Sequence, residues 1–305
     1  MKLPQHTLLA FLGALASPAA VAAAGPSPAA PLCGDAPLDI LLTNDDGFNA
    51  PGIRALYARL REAGHRVVLA APAANASGSS ASFTWGPVRI ARDPMDPDVA
   101  GVAGTPATAV VLGATALYPQ GRRPDLVISG INDGPNVGAL LALSGTVGAA
   151  LAGTMLLDPP VPGIAVNADR PTDPGARQAL PADHVDQVAR HLTRMLAEAR
   201  GWFCDHGRVA RPTVVLNVNY PALPVADARG VRVARQGSTT DLHLAFEPSG
   251  EGEYASRRVR EAAKPDAPDS DVALLGQGYV TVTPIAARLD GRDLPLRDLQ
   301  RRLRN

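Results

Sequence analysis

The stretch that decides the fold reads Ile40-Leu41-Leu42-Thr43-Asn44-Asp45-Asp46-Gly47. Its first four residues form a short apolar run, which is typical of a parallel strand buried on both faces. The polar residues that follow predict a loop at the carboxyl end of this strand. Pro51 then opens a helical pattern that Gly64 closes, and residues 67–71 predict a second strand. The segment therefore predicts a strand–helix–strand unit with parallel strands.

The same alternation continues toward the C-terminus. Short apolar runs between polar loops predict buried strands, and apolar residues at helical spacing predict helices between them. In chain order we predict a helix over residues 107–117, a strand over 126–128, a helix over 146–157, a strand over 163–166, a helix capped by Asp183 and a strand over 213–218. This order is typical of an α/β fold with a doubly wound, mostly parallel sheet.

The character of the chain changes after this predicted core, which covers residues 38–235. Residues 237–270 are polar and rich in charge, so they bury little surface by themselves. A strand over residues 279–285 and a basic, helix-like tail over 294–303 follow. We interpret residues 236–305 as a β-rich C-terminal arm and oligomerisation segment that packs on a second subunit.

The first 24 residues have the pattern of a cleavable signal peptide. An apolar stretch over residues 8–15 is followed by small residues that suit cleavage after Ala24. The apolar stretch is shorter than the roughly 20 residues that span a bilayer, which favours a signal peptide over a membrane anchor. We therefore expect an exported, periplasmic protein whose mature chain starts with a linker over residues 25–37.

The chain has two cysteines, Cys33 and Cys204. In an oxidising compartment two cysteines can pair, and such a bond would tie the linker to the loop around Cys204. Two unrelated free thiols are the alternative, and thiol titration under denaturing conditions distinguishes the two states.

Composition limits the classes of partner. Hydrophobic residues make up 46% of the 305, so the chain is able to build a sizeable core. Its 29 basic and 29 acidic residues cancel to a formal net charge of +0, and this balance favours neither a nucleic acid polymer nor an anionic membrane as partner. A small anionic substrate remains compatible with a neutral chain, because a local metal ion or helix terminus supplies positive charge.

Four polar motifs carry the candidate chemistry. They read Asn44-Asp45-Asp46-Gly47, Asn75-Ala76-Ser77-Gly78-Ser79-Ser80, Ser129-Gly130-Ile131-Asn132-Asp133-Gly134-Pro135-Asn136-Val137-Gly138 and Ser144-Gly145-Thr146. The first three follow predicted strand ends, and the carboxyl ends of parallel strands open on one edge of a sheet. Taken singly, each motif is also explained by an ordinary turn, loop or helix cap.

The paired carboxylates are the strongest of these signals. Asp45 and Asp46 place two like charges together, which is costly unless a cation or hydrogen bonds compensate. The other motifs supply further oxygen atoms and no cluster of cysteine or histidine, a donor set that suits Mg²⁺, Mn²⁺ or Ca²⁺ better than zinc or copper. The segment Ser144-Gly145-Thr146 opens a predicted helix, where free N–H groups favour a phosphate.

In this order the motifs resemble the SurE family of nucleotidases, and the resemblance runs collinearly from Ile40 to Ile285. The matching segments are Ile40 to Gly47 with Ala50-Pro51-Gly52-Ile53, Ala71-Pro72 with Ser77-Gly78, Gly104-Thr105-Pro106, Ser129-Gly130-Ile131-Asn132 with Gly134-Pro135-Asn136, Ser144-Gly145-Thr146-Val147, Leu216-Asn217-Val218-Asn219, and Gly278-Tyr279-Val280 with Thr283-Pro284.

The resemblance implies a Rossmann-like fold and a metal-dependent phosphomonoesterase that removes phosphate from nucleoside 5′- or 3′-monophosphates. It implies one divalent ion, with Mg²⁺ or Mn²⁺ preferred and Ca²⁺ as an alternative, held by Asp45, Asp46, Ser77 and Asn132. It also implies that the C-terminal arm is exchanged between the subunits of a homodimer or homotetramer. A nucleotide or another small phosphate ester is the expected ligand, without a membrane partner after signal cleavage.

The motifs suggest roles for individual residues. The expected catalytic residues are Asp45, Asp46 and Asn44, with Asp45 positioning or deprotonating the attacking water. N–H groups at the helix start would stabilise charge on the phosphate oxygens. The residues expected to bind the substrate phosphate are Asn136, Ser144, Gly145 and Thr146.

Some positions depart from the family pattern. Thr108 and Ala109 stand where the family has an acidic residue and a cysteine, and Ala152 replaces another acidic residue. Alanines also precede Ser77 where charged residues are common. These departures bear on substrate preference and on the catalytic rate.

Two alternative functions stay open: a broad acid phosphatase or exopolyphosphatase with the same site, and a non-catalytic exported protein that binds phosphorylated ligands.

Overall fold

The computed structural model describes residues 30–170, 180–240, 242–260 and 265–287 of the chain. The predicted signal peptide, the first part of the predicted linker and the helix-like C-terminal tail lie outside these ranges. Within them, no helix combines the length and the apolar character needed to cross a bilayer.

Five α-helices and thirteen strands make up this part of the chain. The helices are α1 (Pro51–Glu62), α2 (Pro106–Leu112), α3 (Gly145–Leu156), α4 (Ala182–Ala199) and α5 (Asp271–Gly276). The strands are β1 (Asp39–Thr43), β2 (Arg66–Pro72), β3 (Ile90–Arg92), β4 (Val99–Val102), β5 (Leu126–Asp133), β6 (Gly163–Ala168), β7 (Cys204–Asp205), β8 (Arg208–Val209), β9 (Val214–Tyr220), β10 (Val231–Val233), β11 (Leu242–Gly250), β12 (Glu253–Arg260) and β13 (Val280–Ala286).

Nine of these strands form one sheet in the order β10-β13-β9-β6-β5-β1-β2-β4-β3. Strand β1 pairs in parallel with β2 and with β5, and β6 and β9 extend the parallel arrangement beyond β5. The chain moves outward from β1 to β2 and β4, then returns to place β5 beside β1. Because the order reverses there, the carboxyl ends of β1 and β5 border the crevice where open α/β sheets bind ligands.

Successive side chains of the central strands pack on opposite faces of the sheet. Ile40 and Leu42 of β1 join an apolar cluster that includes Leu56 of α1, whereas Leu41 joins a second cluster that includes Val110 of α2. Helix α4 packs with α1 on the first face, and α3 packs with α2 on the second. Helices therefore cover both faces, and the predicted doubly wound α/β fold with a mostly parallel sheet is confirmed.

Strand β5 is longer than predicted and runs through the motif that begins at Ser129. Its pairing with β6 shifts register between Ser129 and Asn132, which marks a bulge. Gly130 lies in this bulge with a φ of +136°, and a Cβ atom there would collide with the backbone of Val166. A glycine lets the two strands stay in contact through the bulge, so β5 continues to Asp133.

Two predicted helix boundaries also differ from the structure. Pro181 occupies the N-cap position of α4. Asp183 lies in the first turn, where its negative charge is stabilised by the positive end of the helix dipole. The predicted helix over residues 107–117 divides into α2 and one π-helical turn, Gly113–Leu117.

The C-terminal segment contributes to the main sheet and to a separate hairpin. Strand β13 lies inside the main sheet between β10 and β9 and runs antiparallel to β9. The core sheet is complete only when the chain returns as β13, which follows the predicted boundary after residue 235. The predicted division into domains stays a prediction. Strands β11 and β12 form a separate hairpin, and the side chains of β11 are largely exposed. Exchange of this arm between subunits stays a prediction.

The end of the predicted linker is packed against the core. Leu32 is buried in the larger apolar cluster, and Cys33 forms a disulfide with Cys204. The buried side chain of Arg200 donates hydrogen bonds to three carbonyl oxygens of the same segment. Because this segment leads into the amino end of β1, the disulfide lies at the edge of the sheet opposite the crevice.

Candidate functional site

The loop after β1 is shaped by Asn44. Its Nδ2 donates to the carbonyl oxygen of Gly47 at 3.0 Å, and the N–H of Gly47 donates to Asn44 Oδ1 at 3.1 Å. Gly47 has a φ of +114°, in the left-handed region that favours glycine. Asn44 is fully buried, and its side chain positions the loop. The predicted catalytic role of Asn44 stays a prediction.

Asp45 is buried beneath the start of α3. The hydroxyl of Thr146 donates a 2.7 Å hydrogen bond to Asp45 Oδ1, and a Cβ atom placed on Gly145 would lie 2.7 Å from Asp45 Oδ2. Burial raises the pKa of Asp45, while the Thr146 hydroxyl and the N–H groups at the helix start oppose the rise. The N-terminus of α3 therefore stabilises the charged form of Asp45.

The helix start is thus already engaged by the protein. Ser144 caps α3 by accepting a 3.1 Å hydrogen bond from the N–H of Val147. Gly145 and Thr146 are buried next to Asp45. The structure places all three residues at the candidate site, and their role in binding phosphate stays a prediction.

The hydrogen bonds that Asp46 receives are longer than the bond from Thr146 to Asp45. The N–H of Asp133 donates to Asp46 Oδ2 at 3.3 Å, and Asn75 Nδ2 lies 3.5 Å from Asp46 Oδ1. Burial and the neighbouring charge of Asp45 raise the pKa of Asp46 to about 6. We call Asp45 and Asp46 the carboxylate pair, a pair of adjacent acceptors with a shortage of donors.

The loop that carries Ser77 is attached to the same place. The N–H of Ala76 donates to the carbonyl oxygen of Asp45 at 2.7 Å, and the N–H of Ser77 donates to Asn75 Oδ1 at 3.1 Å. Ser77 is exposed, and its hydroxyl makes no hydrogen bond with any residue that the structure describes. Thr108, a departure from the family pattern, accepts a 2.8 Å hydrogen bond from the N–H of Thr84 and so fastens the far end of this loop.

Asn132 lies at the end of β5, directly before Asp133. Its Nδ2 donates to the carbonyl oxygen of Gly134 at 2.8 Å, and its Oδ1 accepts no hydrogen bond from the described part of the chain. The structure thus brings the carboxylate pair, the Ser77 loop and Asn132 together at the switch point. Over the same residues, no group of three or more His, Cys, Asp or Glu side chains is arranged to hold a metal ion. The predicted ligand set has two carboxylates and depends on a hydroxyl and an amide oxygen for the rest.

Sequence reasoning did not anticipate an ion pair beside the site. Arg170 forms two 2.8 Å contacts with the carboxylate of Asp133, whose N–H reaches Asp46. Asp133 belongs to the third motif, so its position in the sequence could have indicated that it lies beside the site. Arg170 belongs to none of the motifs and follows β6, so only the parallel pairing of β5 and β6 reveals it.

The predicted phosphate-binding residue Asn136 belongs to a group of four amides, which we call the asparagine cluster. Asn136 Nδ2 donates to Asn167 Oδ1 at 2.7 Å, and Asn167 Nδ2 donates to Asn217 Oδ1 at 2.8 Å. The N–H of Asn136 donates to Asn219 Oδ1 at 2.8 Å, and its carbonyl oxygen accepts from Asn217 Nδ2 at 2.8 Å. These bonds hold the loop after β5 against the ends of β6 and β9.

These features define an α/β protein with a carboxylate-based, oxygen-rich site at the switch point of a parallel sheet. The chain belongs to the SurE family, because the family model described as Survival protein SurE matches residues 40–241. The resemblance noted in the motifs is confirmed.

Individual relatives agree with this assignment. The chain is 40% identical over 260 residues to the 5′-nucleotidase SurE of Desulfovibrio desulfuricans, a match that covers 81% of this chain and 92% of that protein. It is 36% identical over 254 residues to the 5′/3′-nucleotidase SurE of Yersinia pseudotuberculosis, covering 82% and 90%. The crystal structure of SurE protein from Aquifex aeolicus superposes with a TM-score of 0.69 at 29% identity, covering 87% of this chain and 99% of that one. The named nucleotidases are phosphoric monoester hydrolases.

Proposed function

We propose that this protein is a divalent-metal-dependent phosphomonoesterase that removes phosphate from nucleoside 5′- or 3′-monophosphates. The observation that carries the proposal is the carboxylate pair at the switch point, with Asn132 and the Ser77 loop beside it. The nucleotidase relatives support the same activity.

The residues at the site fit a hard divalent cation. Two adjacent buried carboxylates have raised pKa values because burial disfavours their charge, and for Asp46 the neighbouring charge adds to the effect. The Oδ1 of Asn132 and the hydroxyl of Ser77 make no hydrogen bond within the described chain and add two neutral oxygen donors. An all-oxygen set suits Mg²⁺ or Mn²⁺, with Ca²⁺ as the alternative. When bound, such an ion supplies charge stabilisation for a phosphate and makes water more acidic.

The protein's own residues supply orientation. Thr146 holds Asp45 Oδ1, which leaves Asp45 Oδ2 to accept a proton from, or orient, a water molecule aligned with the phosphorus atom. Asn44 and Gly47 keep the loop closed, and the N–H of Asp133 restrains Asp46. Holding these groups in place lowers the reorganisation needed during the reaction.

Phosphate release by the purified mature protein tests the proposal. The panel contains 5′- and 3′-nucleotides, an aryl phosphate and short polyphosphate, each with EDTA, Mg²⁺ or Mn²⁺. We expect release from nucleotides that requires metal and stops with EDTA. An aryl phosphate or polyphosphate as the best substrate would instead indicate a broad phosphatase or exopolyphosphatase. No release by folded protein under any metal would identify a non-catalytic binding protein.

The proposal includes export to an oxidising compartment such as the periplasm. The disulfide between Cys33 and Cys204 supports it, because disulfides persist in oxidising compartments. Expression of the full chain, followed by fractionation and N-terminal sequencing, tests it. We expect periplasmic protein that begins at Gly25, and full-length protein in the cytoplasm would contradict export.

The proposal also includes a homodimer or homotetramer. Leu244, Phe246 and Tyr254 of the β11–β12 hairpin are 60%, 69% and 66% exposed, a large apolar area for a free hairpin. Light scattering coupled to size-exclusion chromatography should give a dimer or larger mass, and Phe246→Glu should reduce it. A monomeric mass for the unaltered protein would contradict this part of the proposal.

A further inference from the structure

A buried hydroxyl on the Ser77 loop lies beside Asp45. A Cβ atom placed on Gly145 would lie 2.7 Å from Asp45 Oδ2 and 3.0 Å from Ser79 Oγ, so these two oxygen atoms flank the same small space at the start of α3. The two distances put the oxygen atoms less than about 6 Å apart, a span that one water molecule bridges with two hydrogen bonds of about 2.8 Å each.

The loop reaches this position because α3 turns a face without side chains toward it. Gly145 and Gly148 are three residues apart and therefore lie on one face of the helix. A Cβ atom on Gly148 would collide with the carbonyl oxygen of Ser80. Ser80 is anchored to the segment before α3, because its N–H and its hydroxyl donate to two carbonyl oxygens there at 3.3 and 2.8 Å. The loop thus packs directly on the helix, with Ser79 next to this anchor.

The hydroxyl of Ser79 is not used by the fold of its own loop. Its Oγ is buried and makes no hydrogen bond with any residue that the structure describes. The backbone of Ser79 supplies the local bonds instead: its N–H donates to the carbonyl oxygen of Ala76 at 3.2 Å, and its carbonyl oxygen accepts the N–H of Ser82 at 3.1 Å. A buried hydroxyl without a protein partner is costly, and ordered water commonly satisfies such a group.

Two other buried hydroxyls, those of Thr43 and Ser129, likewise make no hydrogen bond within the described chain. Both belong to central strands, where Thr43 of β1 pairs with Ser129 of β5. Ser79 differs from them because its loop also carries a proposed metal ligand and because its Oγ flanks the same space as Asp45 Oδ2.

The two oxygen atoms of Asp45 are held differently. The hydroxyl of Thr146 donates to Oδ1 at 2.7 Å, whereas no side-chain donor within the described ranges bonds to Oδ2. A water molecule held by Ser79 supplies that missing donor. The carboxylate is then fixed at both oxygen atoms, by one hydroxyl directly and by the other through water.

We propose that Ser79 is a positioning residue for Asp45, whose hydroxyl acts through one ordered water molecule that donates a hydrogen bond to Asp45 Oδ2. The inference rests on the proposed metal-dependent function and deepens it, because groups that orient a metal ligand increase the affinity of the site for the ion. Thr146 and Ser79 together keep the carboxylate in one orientation.

A crystal structure of the metal-free protein, grown in EDTA, tests the water molecule directly. We expect one water molecule within hydrogen-bond distance of both Ser79 Oγ and Asp45 Oδ2, and we expect Ser79→Ala to lose it. A Ser79 hydroxyl that bonds to another group, or a space without ordered water between the two oxygen atoms, would overturn the inference.

Calorimetric titration with Mn²⁺ measures the effect on the site. Ser79→Ala should weaken Mn²⁺ binding about tenfold, and Ser79→Thr, which keeps the hydroxyl, should restore most of the affinity. The Mn²⁺ concentration that gives half-maximal phosphate release should rise by the same factor in Ser79→Ala. The matched control is Ser82→Ala, which removes an exposed hydroxyl from the same loop and should bind Mn²⁺ like the unaltered protein.

The same Mn²⁺ affinity in Ser79→Ala and Ser82→Ala, whether unchanged or reduced, would overturn the positioning role. If the unaltered protein binds no Mn²⁺, the proposed metal dependence fails, and the metal-free crystal structure still decides whether Ser79 holds Asp45 through water. If the unaltered protein binds Mn²⁺ and hydrolyses nucleotides while Ser79→Ala behaves identically, the inference alone fails and the phosphatase function stands.

Discussion

Two buried polar groups lie a few strands apart on the same edge of the sheet and differ in their supply of donors. In the asparagine cluster, each amide brings both donors and acceptors, and the four side chains bond to one another or to the backbone of Asn136. In the carboxylate pair, both side chains only accept, and Asp46 receives contacts of 3.3 and 3.5 Å.

The difference separates a structural polar group from a reactive one. Neutral amides with matched partners stabilise a loop and need nothing from outside. Burial raises the pKa of both adjacent carboxylates, and for Asp46 the neighbouring charge of Asp45 adds to the rise, so the pair favours a positive charge beside it. A search for function on this edge therefore leads to the carboxylates, even though asparagines are more numerous.

The largest expected effect comes from neutralising one member of the pair. Asp46→Asn should reduce metal-dependent phosphate release about a thousandfold, because it removes a charged ligand from the site. Thermal unfolding should stay the same or shift upward, because the repulsion between two buried carboxylates is relieved. Activity assays measure the phosphate release, and thermal melts measure the unfolding temperature.

The control for this variant is Asp205→Asn, which neutralises an exposed carboxylate far from the site. Full metal-dependent activity in Asp46→Asn would show that the pair is not the metal site. A large loss of stability would show that the pair is structural, like the asparagine cluster.

The next effect, about 3 kcal/mol of unfolding free energy, is expected from removing the disulfide. Cys33 and Cys204 are 171 residues apart in sequence, so their bond restricts a large loop in the unfolded chain. The Cys33→Ser/Cys204→Ser double variant should lose stability in urea denaturation while its kcat and KM stay unchanged. This double variant is the reference for the comparison. It should lose stability through a change at the edge of the sheet opposite the candidate site. A fall in kcat at a temperature where the variant is folded would contradict this separation.

A smaller loss, about 2 kcal/mol, is expected when the asparagine cluster is broken. Asn217→Ala removes two buried hydrogen bonds, from Asn167 Nδ2 to Asn217 Oδ1 and from Asn217 Nδ2 to the carbonyl oxygen of Asn136. Asn167 Nδ2 keeps its bond to the carbonyl oxygen of Val218, and Asn136 keeps its bond from Asn219 Nδ2. Urea denaturation should show the loss, and activity should fall less than in Asp46→Asn because the proposed metal ligands remain. A thousandfold loss of kcat in a stable Asn217→Ala protein would place this cluster in the chemistry.

The smallest effect concerns Asp271, a buried carboxylate with three donors on one oxygen and none from the described chain on the other. Burial raises its pKa in the folded protein. The stability linked to its protonated form is therefore complete below the ordinary carboxyl pKa, about 4, and is lost as pH rises through the folded value.

Asp271→Asn should remove this pH dependence while keeping the acceptor oxygen. Urea denaturation of both proteins between pH 4 and pH 8, in steps of about one unit, should show the unfolding free energy of the unaltered protein falling relative to the variant. Parallel curves would mean that Asp271 does not titrate in this range.

Much of the fold and part of the site were predictable because their signals are local. The apolar run before Asn44 and the helical spacing after Pro51 predicted β1, α1 and β2 close to their observed bounds. Strand ends followed by polar residues predicted that Asp45, Asp46, Ser77 and Asn132 share one edge. The motif at Ser129 was predicted as a loop and is a bulged strand, because whether a segment pairs depends on its neighbour β6.

Other residues carried no local signal of their role. Arg170 reaches Asp133 only because β6 lies beside β5, and the asparagines of β9 reach Asn136 only because β9 lies beside β6. The two hydrogen bonds by which Asn44 shapes the loop likewise became visible only in the structure. Strand β13 was assigned to the arm because it follows the polar, charge-rich segment after residue 235. Its pairing with β9, from Thr281 with Asn219 to Ala286 with Val214, is a contact between distant parts of the chain.

The sequence by itself determined the alternation of strands and helices, the family and the position of the carboxylate pair. These properties depend on periodicity and on short motifs, which neighbouring residues specify. The tertiary structure decided which polar groups satisfy one another, where β13 enters the sheet and which buried hydroxyl lies beside the pair. Those outcomes depend on contacts between residues far apart in sequence, and only the completed packing of the sheet defines them.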